Sequence, residues 1–228
     1  MKKNEGGAFI DLKTWNRRAH YDLFRTYRQP FFSVTADVAV TSVWNACRRP
    51  GAPPFFLASL FLMLKAANDT EALRRRLRSR GVWEHGRVGA GATIARADGT
   101  FGFVRLEGNS GFDQFVAAGK TAIAGAAGRV PLEPVKGSDD IIFHSVLPWL
   151  RFTSFTNALP GGDSIPRVVF GRCTKEGRRM MMPVAVEVHH AVVDGRDVAQ
   201  FFERFNEGLA TYRLRDSARI ELPHGMSK

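Results

Sequence analysis

Two adjacent histidines near the C-terminus are the side chains best suited to chemistry. The segment reads His189-His190-Ala191-Val192-Val193-Asp194-Gly195, and it lies between an apolar alternating run and a helical pattern. Imidazole moves protons readily near neutral pH, and a strand end before a turn is where a rigid scaffold presents a reactive group. Because side chains alternate along a strand, the two histidines face opposite ways. The spacing therefore predicts that one of the pair works as a proton acceptor or donor in a cleft.

Two plainer interpretations of this pair stay open. Both histidines could be ordinary strand-end side chains, or they could bind a metal. Asp194 and Gly195 favour a functional turn, because the carboxylate can fix the local geometry and glycine adopts backbone angles that strain other residues. A zinc site needs further ligands at suitable spacing, and we predict no metal site and no disulfide because the candidates are scattered: His20, His85, His144, His224, Cys47 and Cys173.

Hydrophobic periodicity identifies the elements that must hold this turn. Alternating, β-branched runs predict strands over 31–40, 88–94, 101–106 and 141–149, and a hairpin of 168–172 with 180–188. Helical spacing predicts helices over 14–27, 41–47, 55–68, 111–128 and 198–209. Strands interleaved with helices along the chain predict an α/β fold with a mixed sheet, and we expect one domain over 1–228.

The charge balance restricts the possible partners. Lys and Arg number 33 and Asp and Glu 22, so the formal charge is +11, which favours anionic partners such as nucleic acid, acidic membranes or phosphorylated cofactors. The arginine-rich segment 71–80 is interpreted as a solvated helix face, since no nucleic-acid module accompanies it. The N-terminus has no apolar signal region, and the longest apolar stretch, 55–64, is too short to span a membrane. We expect a cytoplasmic protein without nucleic-acid or membrane partners.

A resemblance extends these expectations. The segment His189–Gly195 with its aromatic-rich helix resembles the C-terminal signature of the chloramphenicol acetyltransferase family. The same His-His-x-x-x-Asp-Gly form recurs in 2-oxoacid dehydrogenase acyltransferase cores, for which the chain lacks a recognisable lipoyl domain, and in peptide-synthetase condensation domains. Further blocks that are similar to the acetyltransferase family follow in the same order: 10–24 with Trp15-Asn16-Arg17, 31–38, Phe143-His144-Ser145-Val146-Leu147-Pro148-Trp149, 152–155 and 182–188.

The resemblance implies a role for each site residue. His190 would be the general base that deprotonates the acceptor hydroxyl, and Ser145 would donate to the oxyanion of the tetrahedral intermediate. Asp194 would pair with Arg17 and order the turn. Arg172 would help to bind acetyl-CoA, the co-substrate, and no cofactor would be tightly bound. An aromatic acceptor pocket would contain Phe24, Phe32, Phe101, Phe143 and Phe155.

The resemblance also implies a fold, an assembly and an activity. The fold would be the CoA-dependent acyltransferase fold, a two-layer sandwich with a mostly antiparallel mixed sheet covered by helices. The assembly would be a homotrimer with active sites between subunits. The activity would be direct acetyl transfer from acetyl-CoA to chloramphenicol, without an acyl-enzyme, which causes antibiotic resistance.

Several positions depart from the family pattern. Val169 stands where a threonine is usual, Asn157 where an apolar pocket residue is usual, and Arg28 where a small residue is usual. Arg196-Asp197 replaces an aromatic residue and a histidine, and Asp197 could cap the final helix. These changes leave open a related acyltransferase that acts on a more polar alcohol or amine. A binding module without catalysis also stays open, in which Ser145, Arg17 and the phenylalanines would be plain structural residues.

Overall fold

The computed structural model describes residues 6–108, 110–126, 139–159 and 162–213. Its helices are α1 (Arg18–Phe24), α2 (Thr41–Ala46), α3 (Phe55–Asn68), α4 (Phe112–Ala126) and α5 (Gly195–Thr211). Its strands are β1 (Ala8–Phe9), β2 (Phe31–Ala39), β3 (Arg75–Arg78), β4 (Gly81–Glu84), β5 (Gly89–Ala95), β6 (Phe101–Leu106), β7 (Ile141–Leu147), β8 (Arg167–Gly171), β9 (Thr174–Glu176) and β10 (Arg179–His189).

The described strands form two sheets: a small one in the order β1-β4-β3, and a large mixed one in the order β2-β10-β8-β7-β5-β6, with β9 paired to β10. The strands β7 and β8 are parallel, as are β5 and β7, and the other pairings in this sheet are antiparallel. The predicted hairpin is present as β8, β9 and β10. The observed architecture confirms the predicted fold class, a mostly antiparallel mixed sheet covered by helices.

The two faces of this sheet have different environments. On β10, Val184, Val186 and Val188 point into the main core beneath the helices, where the aromatic side chains of α5 also lie. Ala185 points to the opposite face and joins a small cluster with Val169 and Phe152. We call these the helical face and the open face. The strict alternation along β10 produces this division, because successive side chains leave a strand in opposite directions.

The arginine-rich segment is not a solvated helix face, and that prediction is wrong. Residues Glu71–Arg74 form a short 3-10 turn, after which β3 pairs with β4. The Arg76 guanidinium is buried and donates to the carbonyl oxygens of Leu73, Asp139 and Ile141 at 3.0, 2.7 and 2.7 Å. The two remote acceptors, Asp139 and Ile141, complete the hydrogen bonding of a buried cation and favour the strand, which the local sequence pattern does not reveal.

The first helix is shorter than the predicted span of 14–27. Residues 14–17 form turns, and Arg17 occupies the position immediately before α1. The segment after α1 is held by Pro30, whose carbonyl oxygen accepts from the His190 backbone N–H at 2.8 Å. The helix is thus tied to the histidine turn on both sides, by the Arg17–Asp194 ion pair before it and by the Pro30 carbonyl after it. Within the described residues, none of the helices combines the length and apolar character that crossing a bilayer requires.

Candidate active site

The His190 imidazole lies in the turn immediately after β10, clamped by two aromatic rings. The Phe24 ring stacks on it at a centroid distance of 3.9 Å and an interplanar angle of 11°, and the Phe32 centroid lies 4.7 Å away. The Nδ1 atom lies 3.2 Å from the carbonyl oxygen of Val193. Since a carbonyl only accepts hydrogen bonds, a neutral imidazole carries its proton on Nδ1 and keeps a lone pair on Nε2. This geometry suits a general base acting through Nε2.

The neighbouring His189 has a different environment. Its ring lies on the open face, is only 5% exposed, and packs edge-on against Phe31 at 5.1 Å. Its Nδ1 accepts from the Ala191 backbone N–H at 3.2 Å. Burial lowers the pKa of His189 to about 4, so the ring is neutral at physiological pH. These contacts make His189 part of the support of the turn.

Asp194 holds the turn to the N-terminal helix. Its carboxylate forms an ion pair with Arg17, and the same guanidinium lies 3.4 Å from the His190 carbonyl oxygen. Asp194 is also the N-cap of α5 and accepts from the backbone N–H groups of Arg196 and Asp197 at 2.9 and 3.2 Å. Although burial opposes ionisation, the Asp197 backbone N–H and the Arg17 charge keep the pKa of Asp194 below its usual value.

Asp197 has a different position from the one predicted. The N-cap of α5 is Asp194, and Asp197 occupies the third helical position, where its carboxylate accepts from the Asp194 backbone N–H at 2.9 Å. The two aspartates thus form a reciprocal capping box. Burial, reinforced by the nearby Asp194 charge, raises the pKa of Asp197.

Ser145 lies on β7, in a row of residues that crosses the sheet. Its register partner on β8 is Val169, whose own partner on β10 is Ala185. On the other side, the Thr93 hydroxyl of β5 donates to the Ser145 Oγ at 3.1 Å. The sequence did not predict Thr93 as a partner of Ser145, because the two residues become neighbours only through the pairing of β5 with β7. Ser145 is half-buried on the open face, where its hydroxyl can reach a bound molecule.

The register keeps His190 and Ser145 apart within one protomer. Ser145 lies in the same row as Ala185, which is five residues before His190 along β10. At about 3.3 Å per residue and about 4.8 Å per strand spacing, their backbones are separated by about 19 Å. Ser145 is also on the open face, whereas His190 contacts Phe32, which packs against the core of the helical face. We call the surroundings of these two predicted residues the His190 half-site and the Ser145 half-site.

The five phenylalanines divide between these half-sites. Phe24 and Phe32 contact His190. Phe143 lies two residues before Ser145, under the Arg167 guanidinium at 5.4 Å, and Phe101 lies on β6 and is 45% exposed. Phe155 packs against Phe152 beside the open face, with 5.5 Å between centroids.

The departures from the family pattern have distinct environments. Asn157 is tied to the buried Glu187 carboxylate, to which its side-chain amide and backbone N–H donate at 2.6 and 2.9 Å. Val169 is buried in the sheet, and Arg28 is exposed in the segment after α1. The Asn157 amide is therefore already committed to a partner within the chain.

A cavity of about 220 Å³ opens beside the end of β7. It includes Arg172, and its other walls are largely apolar, with Trp44, Phe55, Val146 and Pro148 among them. Val146 is next to Ser145 in the sequence, but it points to the helical face together with Phe170 and Met182, so this cavity lies across the sheet from the Ser145 hydroxyl. The spacing of residues in the sequence did not predict that Trp44 and Phe55 would line a cavity.

A larger polar cleft of about 790 Å³ lies elsewhere on the molecule. It is beside Gly89 and Asp140, at the starts of β5 and β7, and its walls include Glu71 and Arg74. Because β5 and β7 are parallel, this cleft is at the opposite end of these strands from the 220 Å³ cavity. Among the described residues, no cluster of three or more His, Cys, Asp and Glu side chains is suited to a metal ion, and Cys47 and Cys173 are free thiols.

Comparison with known proteins identifies the family. The sequence model described as chloramphenicol acetyltransferase matches residues 7–206. Chloramphenicol acetyltransferase 3 of Escherichia coli is 28% identical over 204 residues, which cover 87% of this chain and 94% of the relative. A chloramphenicol acetyltransferase of Streptomyces acrimycini is 30% identical over 210 residues, which cover 89% of this chain and 94% of the relative.

Solved structures share the fold. A chloramphenicol acetyltransferase superimposes with a TM-score of 0.78 at 24% identity, over 89% of this chain and 99% of its own. The dihydrolipoamide acetyltransferase of Azotobacter vinelandii superimposes with a TM-score of 0.64 at 15% identity, over 92% of each chain. Because the family match extends from β1 into α5, and the relatives are covered over almost their whole length, the protein belongs to the chloramphenicol acetyltransferase family and is an acyltransferase.

Proposed function

We propose that the protein transfers the acetyl group of acetyl-CoA directly to a hydroxyl of chloramphenicol, with His190 as the general base. The observation that carries this proposal is the clamped imidazole, whose Nδ1 lies 3.2 Å from the Val193 carbonyl oxygen. This contact leaves Nε2 as the basic atom, and the Phe24 ring stacked at 3.9 Å fixes its direction. The Arg17–Asp194 pair holds the turn that carries His190.

The reaction needs no nucleophile from the protein. His190 Nε2 takes the proton of the acceptor hydroxyl while the oxygen attacks the thioester carbonyl carbon. The oxyanion of the resulting tetrahedral intermediate accepts a hydrogen bond from Ser145. Collapse of the intermediate breaks the carbon–sulfur bond, and the departing thiolate recovers the proton from the imidazolium. Proximity of the two bound substrates and a preorganised oxyanion donor supply most of the acceleration.

The two half-sites meet between copies of the chain, in a homotrimer. Their separation of about 19 Å, derived from strand geometry, is too large for both to act on one intermediate within a protomer. Trp149 and Leu150, directly after β7, are 74% and 54% exposed, and these adjacent apolar side chains could be buried against a neighbouring subunit. In this assembly His190 of one subunit acts beside the Ser145 half-site of its neighbour.

Acetyl-CoA binds with a phosphate group at Arg172, which directly follows β8 and lies at the rim of the cavity of about 220 Å³. Its guanidinium provides the cation for the phosphate. Part of the net positive charge of the chain would then serve to bind the phosphate groups of CoA.

A different acceptor is the second candidate. Arg28 is exposed in the segment that follows α1, four residues after Phe24. Its charge favours an acceptor alcohol or amine that is more polar than chloramphenicol. Asn157 gives this alternative less support, because its amide is bonded to Glu187. The aromatic rings around His190 favour an aromatic acceptor, so chloramphenicol remains our main proposal.

The test monitors thiol release from acetyl-CoA in the presence of chloramphenicol. We expect release by the wild type, a loss of about 10²- to 10⁴-fold in His190→Ala, and wild-type release in the matched control His20→Ala, an exposed histidine on α1. Release only with other alcohols or amines would move the proposal to the second candidate. An absence of release with every acceptor, together with no binding of CoA, would favour the binding module.

A further inference from the structure

The hydroxyl of Thr93 is the one side-chain partner that the described residues provide for Ser145. The pairing Ala92↔His144 between β5 and β7 brings the next residues, Thr93 and Ser145, side by side on the open face. Their hydroxyl oxygens are 3.1 Å apart, with Thr93 donating. On the other side of Ser145 lies Val169, which is 1% exposed and has no polar side-chain atom.

The direction of this hydrogen bond decides what Ser145 can do. A serine hydroxyl has one proton and two lone pairs. If Ser145 donated to Thr93, its proton would be occupied when the oxyanion formed. When Thr93 donates, as its hydroxyl can by rotating about its Cβ–Oγ1 bond, a lone pair of Ser145 is occupied and the Ser145 proton is free for the oxyanion. Donation into the Ser145 oxygen also polarises its O–H bond and makes it a stronger donor.

We propose that Thr93 is a positioning residue that orients and strengthens the Ser145 hydroxyl as the oxyanion donor. This inference rests on the proposed acetyl transfer. No proton leaves either hydroxyl in this arrangement: Thr93 keeps its proton in a hydrogen bond to Ser145, and Ser145 keeps its proton in a hydrogen bond to the oxyanion. Thr93 acts only through Ser145, and it lowers the free energy of the transition state without changing substrate binding.

The test compares Thr93→Val, which keeps the branched shape, with Thr93→Ser, which keeps the hydroxyl. The readout is the single-turnover rate of acetyl transfer, which reports chemistry even where product release limits kcat. We expect Thr93→Val to lower this rate about three- to tenfold with an unchanged acceptor KM, and Thr93→Ser to stay within about twofold of the wild type. Circular dichroism and light scattering check that each variant keeps its fold and assembly.

A double-mutant cycle separates this role from simple pocket lining. In a Ser145→Ala background, Thr93→Val should have no further effect on the rate, since the group through which Thr93 acts is gone. The matched control is Thr35→Val. Thr35 lies in the same cross-strand row, as the partner of Ala185, and its buried hydroxyl has no hydrogen-bond partner among the described residues. We expect this control to transfer acetyl groups at the wild-type rate.

Three results would overturn the inference while leaving the proposed function intact. The first is a single-turnover rate of Thr93→Val that equals that of the wild type. The second is a fall in this rate that is equally large with Ser145 present and in the Ser145→Ala background. The third is an effect of Thr93→Val on the acceptor KM alone. The last two would make Thr93 a binding residue of the pocket. If the wild type transferred no acetyl group to any acceptor, the proposed function itself would fail, and the inference would fail with it.

Discussion

A complementation experiment tests the composite site most directly. The register separates His190 from Ser145 by about 19 Å within a protomer, so we propose that each active site takes its histidine from one chain and its serine from a neighbour. His190→Ala should lower turnover by about 10²- to 10⁴-fold. Ser145→Ala should lower it by about 10²- to 10³-fold, the usual cost of removing an oxyanion donor.

Mixed trimers of these two variants should regain activity. A trimer with two chains of one variant and one chain of the other has one interface at which an intact histidine meets an intact serine. We therefore expect about one third of the wild-type turnover per trimer, against about 1% or less for either parent. The two chains are co-expressed with different affinity tags, purified over both tags, and assayed by thiol release.

The control uses chains that build no competent interface. Mixed trimers of His190→Ala with the double variant His190→Ala/Ser145→Ala should stay at the level of the parents. The reasoning would be refuted if the mixed trimers of single variants were no more active than their parents. It would also be refuted if the wild type were fully active as a monomer of about 25 kDa, the mass of one chain.

Three further predictions follow from the same structure. Asp194→Asn should retain the helix cap and lose only the charge pair with Arg17, so the free energy of unfolding should fall by about 1 kcal/mol. Asp194→Ala loses both the cap and the pair, and should lower the free energy of unfolding by about 2–3 kcal/mol in urea titrations. Equal losses in the two variants would contradict separate contributions from the cap and the ion pair. Burial lowers the pKa values of His144 and His189 to about 4 from their ordinary 6.5, so the unfolded chain binds these protons first. Stability should therefore fall as the pH drops from 6.5 towards 4, by up to about 3 kcal/mol from His144 and by a further contribution from His189. His144→Leu should remove the His144 share of this loss and leave that of His189, and an unchanged profile would exclude His144 as a cause. Arg172→Ala should raise the KM for acetyl-CoA about fivefold, weaken its salt dependence and leave kcat nearly unchanged, while the exposed hairpin variant Arg178→Ala should change neither constant.

Local patterns in the sequence predicted most of the elements that carry the site. The apolar run that ends at His189, and the spacing of Val198, Phe201, Phe202 and Phe205, correspond to β10 and α5. Their periods of two and 3.6 residues are properties of the chain itself, since one face of each element must be buried. The motif His189–Gly195 and the similar blocks along the chain also predicted the family and the fold class. Both predictions are confirmed.

Contacts between distant segments account for what the patterns missed. The segment with Arg76 forms a strand because its guanidinium finds carbonyl oxygens 63 and 65 residues further along the chain, at Asp139 and Ile141. Asn157 is bonded to Glu187, 30 residues away, so its polarity serves a buried carboxylate. No window of neighbouring residues contains these partners, and local propensity favours a different structure or role there.

The presentation of a histidine by a turn at the end of β10 follows from local features, namely the alternation along the strand and the Asp194-Gly195 pair. The orientation of that histidine and the groups it can reach depend on distant segments. The stacked Phe24 ring and the Arg17 ion pair come from the other end of the chain. The distance from His190 to Ser145 depends on the register of β10, β8 and β7, and register is fixed by packing across the whole sheet.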